Sequence, residues 1–271
     1  MRTVMKIQYN EDKISKFLKV VFNQDFEQYY GMTNTYKCFE EQNLTQVMKV
    51  SLLKKLSVTN HLNVPSFEEF WLWMRKNHGT ELSIMLTNFI SPGDEKRAKY
   101  LKNAMRNNRD DNLWMHIKAR VYKKWCSIVT EMQCVYATVE GVHTNNLNWE
   151  VIVSPALDSI GIDFVVVKQV GNNKKAFPIQ IKKDSFNAYA QKKYNALENF
   201  DKVAIKKKAL QELSVELAKQ KVLADIEDVT ILKYGVTRGD ELPYEYLKRS
   251  SNGFVYYDSQ LLVEALNNNL N

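Results

Sequence analysis

The sequence predicts an α+β protein with a mixed central sheet flanked by helices, and three observations carry that prediction. Residues 1 to about 110 are patterned as helices. Residues 149–182 hold three short runs rich in β-branched side chains. Two further strand-like runs and a closing helix follow a second helical region. The expected order is helices, then helix–βββ–helix–β–β–helix. Residues 1–112 form a helical N-terminal region and 113–271 the core, joined as one continuous compact unit.

The clearest helix is PSFEEFWLWMRKNHG. Ser66 is its N-cap and Glu69, three positions on, completes a capping box. Pro65 ends the segment before it and Gly79 supplies a C-terminal stop. Phe67, Phe70, Trp71 and Met74 share one face, as a buried helix requires. SPG (91–93) is a turn, DEKRAKYLKNAMRNN a charged helix, and RNNRDD a break. A longer helix is expected from Leu113 to Tyr136, with Val121, Trp125, Ile128 and Met132 along one face and Glu131 beside that stripe. WEVIVS (149–154), GIDFVVV (161–167) and FPIQIK (177–182) read as a three-stranded antiparallel meander, with a turn at Gly171-Asn172-Asn173. Residues 185–220 are helical by pattern. DVTILKYG (228–235) and NGFVYYD (252–258) are strands, and LLVEALNNN closes the chain as a helix.

With 45% hydrophobic residues and 11% aromatics, 271 residues can build a packed core. The formal charge of +7 favours acidic partners such as nucleic acid. Three cysteines, Cys38, Cys126 and Cys134, with no CxxC spacing, exclude a disulfide framework and a zinc ribbon, and free thiols suit a reducing cytoplasm. No signal peptide or membrane span is legible, so a cytoplasmic protein of a prokaryote is expected. His61, His78, His116 and His143 are scattered, which disfavours a histidine–metal nuclease. No GxxxxGK[ST] or GxSxG motif points to an ATPase or an esterase.

Chemistry enters with DSIGIDFVVVKQVGNNKKAFPIQIKKDSF. An acid, Asp163, falls in the first strand of this hairpin, and Gln180 and Lys182 fall in the second. Strand side chains alternate, so Gln180 and Lys182 share a face and Ile181 takes the other. If Asp163 points to the same face as Lys182, the carboxylate, amide and ammonium meet. That set suits phosphodiester hydrolysis. A carboxylate can hold Mg²⁺, the cation polarises phosphate and activates water, and a lysine orients that water or stabilises charge on the phosphate. The pattern is the D…(D/E)xK of a large nuclease superfamily, with Gln180 where an acid is usual. The second carboxylate for the metal is then Asp158 or Glu131, with the Ile181 carbonyl as a neutral ligand.

DSIGID followed by QIKKDSF resembles the catalytic core of the TaqI family of type II restriction endonucleases, within the PD-(D/E)xK superfamily. Those enzymes carry Asp-x-x-Gly-Ile-Asp and then a strand ending in Gln-Ile-Lys-Lys. FEEFW (67–71), RVYKKWCSIVTEMQCVY (120–136) and NGFVYYD (252–258) resemble family segments in the same order. The resemblance implies a restriction-endonuclease-like core. It makes Asp163 the metal-binding acid, Lys182 the catalytic lysine and Asp158 the first aspartate of the pair. Gln180 matches the family's own glutamine, and Glu131 has no family counterpart. It further implies Mg²⁺-dependent cleavage of double-stranded DNA at a short palindrome, leaving 5′-phosphate and 3′-hydroxyl ends. A homodimer and a cognate DNA methyltransferase in the host would follow. Two other readings remain open: a repair or branched-DNA nuclease on the same core, and a DNA-binding protein that has lost the chemistry.

Eleven lysines and three acids lie between residues 168 and 208, more positive charge than the whole chain's net. Lysines there can pair with phosphates. Lys183, Lys192 and Lys193 are candidate DNA contacts. Asn187, Gln191 and Asn195 recur every fourth residue on one helix face and could read bases, and Arg238 sits in a loop after a strand.

Overall fold

In a computed structural model, β-hairpin 164–183 forms the middle of the sheet. The structure describes residues 5–24, 64–90, 109–154, 157, 161–183, 211–219, 221–235 and 241–270. Among these, β3 (Phe164–Val170) and β4 (Asn173–Lys183) pair antiparallel from Phe164↔Ile179 to Val170↔Asn173. Only Gly171 and Asn172 are left to turn the chain. Gly171 has φ +60°, as a type II′ hairpin requires at its first central residue. β2 (Trp149–Val153) pairs antiparallel with β3, which completes the expected meander.

The sheet extends further than the sequence suggests. β1 (Met5–Ile7) lies antiparallel to β2, although the residues before 110 read as helical. Three residues are too few for a period-two signal, so only the pairing reveals the strand. On the other side, β5 (Asp225–Ile226) and β6 (Thr230–Tyr234) both run parallel to β4. The six strands form one mixed sheet. β7 (Leu247–Arg249) and β8 (Val255–Tyr257) make a separate two-stranded sheet.

Five helices are described: α1 (Glu11–Phe22), α2 (Phe67–Ile90), α3 (Arg109–Thr144), α4 (residues 211–219) and α5 (Ser259–Asn269). α3 starts before Leu113 and runs past Tyr136. Its apolar periodicity continues through Val135, Val139 and Val142, all buried. α2 does not stop at Gly79. His78 leaves helical geometry (φ −135°, ψ 23°) and the helix resumes beyond it. The glycine therefore marks a break rather than an end. The turn at 91–93, the charged helix after it and the helical pattern from 185 to 210 lie outside the described residues.

The chain divides into two compact units. The first comprises residues 1–14, 131–250 and 255–271 and contains both sheets. Ile152, Leu157, Ile162, Val165, Val167 and Ala176 form its core with Leu213 and Leu217 of α4. The far end of α3 meets α5 at Gly141. A Cβ there would lie 2.3 Å from the Ser259 carbonyl oxygen and 2.5 Å from Val263 Cγ2. Gly141→Ala is expected to destabilise the protein by about 2 kcal/mol through this overpacking, although alanine gains about 1 kcal/mol in helix propensity. Urea unfolding measures it; a midpoint at or above that of the parent protein would contradict this packing.

The second unit comprises residues 15–130 and 251–254. Its α2 opens on the expected capping box. The Ser66 N–H and hydroxyl both donate to Glu69 Oε2 (2.8 and 2.7 Å), and the Glu69 N–H returns to Ser66 Oγ at 3.3 Å. The Ser66 hydroxyl holds the Glu69 carboxyl below its ordinary pKa. Phe67, Phe70, Trp71 and Met74 are buried as their spacing requires. Phe67 packs edge-on against Tyr122, and the Trp125 indole donates to the Pro65 carbonyl at 3.1 Å. Asn252 Nδ2 faces the carbonyls of Val21, Phe22 and Gln24, where α1 ends. No described helix is long and apolar enough to cross a membrane, and among the described residues neither Cys126 nor Cys134 is in a disulfide.

Candidate active site

Asp163 stands at the mouth of the hairpin, one residue before β3 and not inside it as the sequence suggests. The reason is the turn that delivers it. Gly161 has φ +82°, a conformation L side chains rarely adopt. The Ile162 N–H reaches back to the Leu157 carbonyl at 3.0 Å, and both side chains are buried in the same core cluster. Glycine in the left-handed region, with an apolar pair across it, is the usual way a helical turn is closed. The Gly-Ile-Asp of the motif thus has a physical reading: a reversal, an anchor, and an acid placed beside the sheet.

The Asp163 N–H donates to the Ile179 carbonyl at 2.9 Å. Its carboxylate Oδ2 accepts the Ile181 N–H at 2.6 Å, where a regular strand would offer a backbone carbonyl. The acid is therefore bound to the backbone of β4 between Gln180 and Lys182. Gln180 also turns toward this entrance, since a Cβ on Gly161 would lie 3.1 Å from Gln180 Nε2. Along β4, Gln180 and Ile181 are half-buried while Lys182 and Lys183 are exposed. Alternation puts Gln180 and Lys182 on the face of Ala176, with Ile181 opposite. Asp158, Asn187, Gln191, Lys192, Lys193, Asn195 and Arg238 lie outside the described residues.

Glu131, half-buried on α3, belongs to the same electrostatic neighbourhood. The fully buried Cys134 thiol is pushed well above its ordinary pKa, first by burial, then by the charge on Asp163, with Glu131 adding to it against a hydrogen bond involving Thr138. Both carboxylates therefore act on one sulfur. The carboxylates of Asp163 and Glu131 are hard oxygen donors, suited to a hard divalent cation. Among the described residues, no three His, Cys, Asp or Glu side chains gather closely enough to hold a metal by themselves.

A family model described as TaqI restriction endonuclease matches residues 12–270. The chain belongs to the TaqI restriction endonuclease family. It is thus a deoxyribonuclease of a restriction system, with DNA as its substrate. Restriction endonucleases are usually metal-dependent, and membership in this family implies a type II enzyme. No curated protein and no solved structure matches the chain.

Within this TaqI-family protein, three of the described lysines of the cluster are engaged by the protein itself. Lys168 is buried, its Nζ 5.4 Å from the ring centroids of both Trp149 and Phe177, and burial lowers its pKa. Lys174 pairs with Glu150 at 3.2 Å and Lys175 with Glu227 at 2.8 Å. Glu150 comes from β2 and Glu227 follows β5, so both lie outside the counted stretch. Lys182 and Lys183, at the opposite end of β4, are exposed, as is Lys174. Sequence reasoning also missed the support behind the site. The Gln133 side chain is buried, and its amide clamps the backbone of Tyr257. Nε2 donates to the Tyr257 carbonyl at 2.9 Å and the Tyr257 N–H donates to Oε1 at 2.7 Å. The available signal was a glutamine inside the apolar stripe Met132–Val139.

Proposed function

We propose that this chain is a Mg²⁺-dependent type II restriction endonuclease that cuts double-stranded DNA at a short palindrome, with Asp163 and Lys182 at the reacting phosphate. The observation that carries the reading is the hydrogen bond from the Ile181 N–H to the Asp163 carboxylate. It ties the acid to the strand segment bearing Gln180 and Lys182, inside a chain that belongs to a restriction endonuclease family. The same order of elements, a helix and an antiparallel meander with parallel strands beyond it, supports a PD-(D/E)xK core.

Asp163, Asp158 and the Ile181 carbonyl are the residues that would hold Mg²⁺, with Glu131 as the further carboxylate. Bound there, the cation supplies the Lewis acidity that polarises the phosphate and activates water. The protein's own groups do the rest. The Ile181 N–H fixes one oxygen of Asp163, so the carboxylate keeps its orientation. The Lys182 ammonium offsets charge as it grows on the phosphate and orients the attacking water. The Gln180 amide is an uncharged acceptor beside them. Water adds to phosphorus, the bond to the 3′-oxygen breaks, and that oxygen takes a proton, leaving 5′-phosphate and 3′-hydroxyl ends.

A palindrome has two-fold symmetry, so a homodimer with one subunit per strand is the natural assembly. A cognate methyltransferase would protect host DNA. Lys183, Lys192 and Lys193 are assigned to phosphate contacts, and Asn187, Gln191, Asn195 and Arg238 to the grooves. Incubation with plasmid and Mg²⁺ tests the reading. Discrete fragments that vanish with EDTA are expected. A smear would indicate a nonspecific or repair nuclease, and uncut, retarded DNA a binding protein.

A further inference from the structure

The face of β4 that carries Gln180 and Lys182 continues onto the next strand. β6 runs parallel to β4, with Gln180↔Ile231 and Lys182↔Lys233 as register partners. Side chains alternate along each strand, and partners in register project to the same side of a sheet. Gln180, Lys182, Ile231 and Lys233 therefore share one face. That face is closed at Ala176, which belongs to the core cluster with Leu213 and Leu217 of α4. It opens toward the strand ends, where Gln180 is half-buried and Lys182, Ile231 and Lys233 are exposed. Leu232, on the other face, is buried.

Two lysines thus stand side by side on paired strands, next to the backbone amide that binds Asp163. Like charges opposite one another destabilise a sheet. Residues 230–234 of β6 include no acid to offset them. Among the described residues, no carboxylate pairs with the Lys233 ammonium. The backbone beneath Lys233 is nevertheless fixed. Among the described strands β6 pairs with β4 alone, and on β6 the Lys233 carbonyl accepts the Tyr246 hydroxyl at 2.9 Å. An anion lying across the two strand ends would relieve the repulsion between the lysines.

We propose that Lys233 is a DNA-binding residue of this site, gripping a backbone phosphate beside the one that Lys182 faces. The inference rests on the reading that puts Lys182 at the reacting phosphate. A DNA strand presents consecutive anions, and two ammonium groups on neighbouring strands can meet two of them at once. The lysine nearer Asp163 serves the phosphate that reacts, and Lys233, one strand farther out, holds the substrate in register. The exposed Ile231 adjoins Lys233 on that face and offers apolar surface to a deoxyribose. A lysine on an edge strand can also serve only to discourage pairing with other chains, and salt dependence separates the two roles.

Lys233→Ala in the full chain tests this, with Lys233→Arg and Lys6→Ala beside it. Lys6 is exposed on β1, at the opposite edge of the sheet, and its loss removes the same formal charge. Binding to a labelled duplex is followed by fluorescence anisotropy in Ca²⁺ over a series of salt concentrations. Lys233→Ala should bind more weakly and lower the slope of log affinity against log salt by about one. The loss should be the same on duplexes of different sequence, since a phosphate carries no base identity. Lys233→Arg and Lys6→Ala should keep the parent slope. A parent slope in Lys233→Ala overturns the proposal and leaves the lysine as a guard of the sheet edge. An equal loss of slope in Lys6→Ala overturns it too, by reducing the effect to net charge. A plasmid digest with Lys182→Ala judges the underlying reading separately. Cleavage at the parent rate there removes Lys182 from the reaction, while a lowered slope in Lys233→Ala still supports its phosphate contact.

Discussion

Lys182→Ala is expected to slow DNA cleavage by about a thousandfold or more while DNA binding and folding persist. Lys182 is exposed near the end of β4, so its side chain contributes little to the core. An exposed substitution of this kind usually changes stability by no more than about 0.5 kcal/mol. What it removes is a positive charge next to the backbone amide that anchors Asp163. A charge that matters most as the phosphate gains negative charge affects the rate more than the affinity. Binding should lose at most one phosphate contact, which lowers the slope of log affinity against log salt by about one. Lys182→Arg keeps the charge but replaces a compact ammonium by a planar fork, and cleavage should remain impaired. Single-turnover digestion of supercoiled plasmid, paired with a gel shift in Ca²⁺, separates the two quantities. Cleavage by Lys182→Ala at the parent rate would remove the lysine from the chemistry.

The parts of the fold legible in the sequence are those fixed by local chemistry. The Ser66–Glu69 box depends on residues three apart, and the β3–β4 turn on a glycine at one position. The apolar stripe of α3 repeats often enough to be read, although its ends do not. Elements fixed by distant partners were not legible. β1 and β5 have three and two residues, and each exists only because a longer strand supplies its hydrogen bonds. The ion pairs of Lys174 and Lys175 have the same origin, since Glu150 arrives from β2 and Glu227 from the residue after β5.

The candidate site divides in the same way. Gly161-Ile162-Asp163 and Gln180-Ile181-Lys182 carry their chemistry in the residue types themselves. The sequence could not say that Asp163 stands outside the strand and spends one carboxylate oxygen on a backbone amide. It named Glu131, beside an apolar stripe, as a candidate metal carboxylate without any means to place it near Asp163. The shared influence of Glu131 and Asp163 on the Cys134 thiol requires α3 to pass close to the hairpin entrance.

Two substitutions of Asp163 separate its structural duty from its chemical one. Asp163→Asn retains an oxygen that can accept the Ile181 N–H, so the entrance to β3 should keep its form. The charge is gone, and with it the attraction for a divalent cation. Cleavage is expected to fall by about a thousandfold or more, with melting temperature close to that of the parent. Asp163→Ala removes charge and acceptor together. The Ile181 amide then loses its side-chain partner at a half-buried position, which costs about 1–3 kcal/mol where water cannot replace it. Asp163→Ala should therefore be as inactive as Asp163→Asn and measurably less stable. Chemical unfolding of both variants beside a plasmid digest tests the division. Equal stability of the two would mean that the 2.6 Å hydrogen bond contributes nothing net to the fold. An active Asp163→Asn would move the metal-binding carboxylate elsewhere, with Glu131 and Asp158 the acids left to examine.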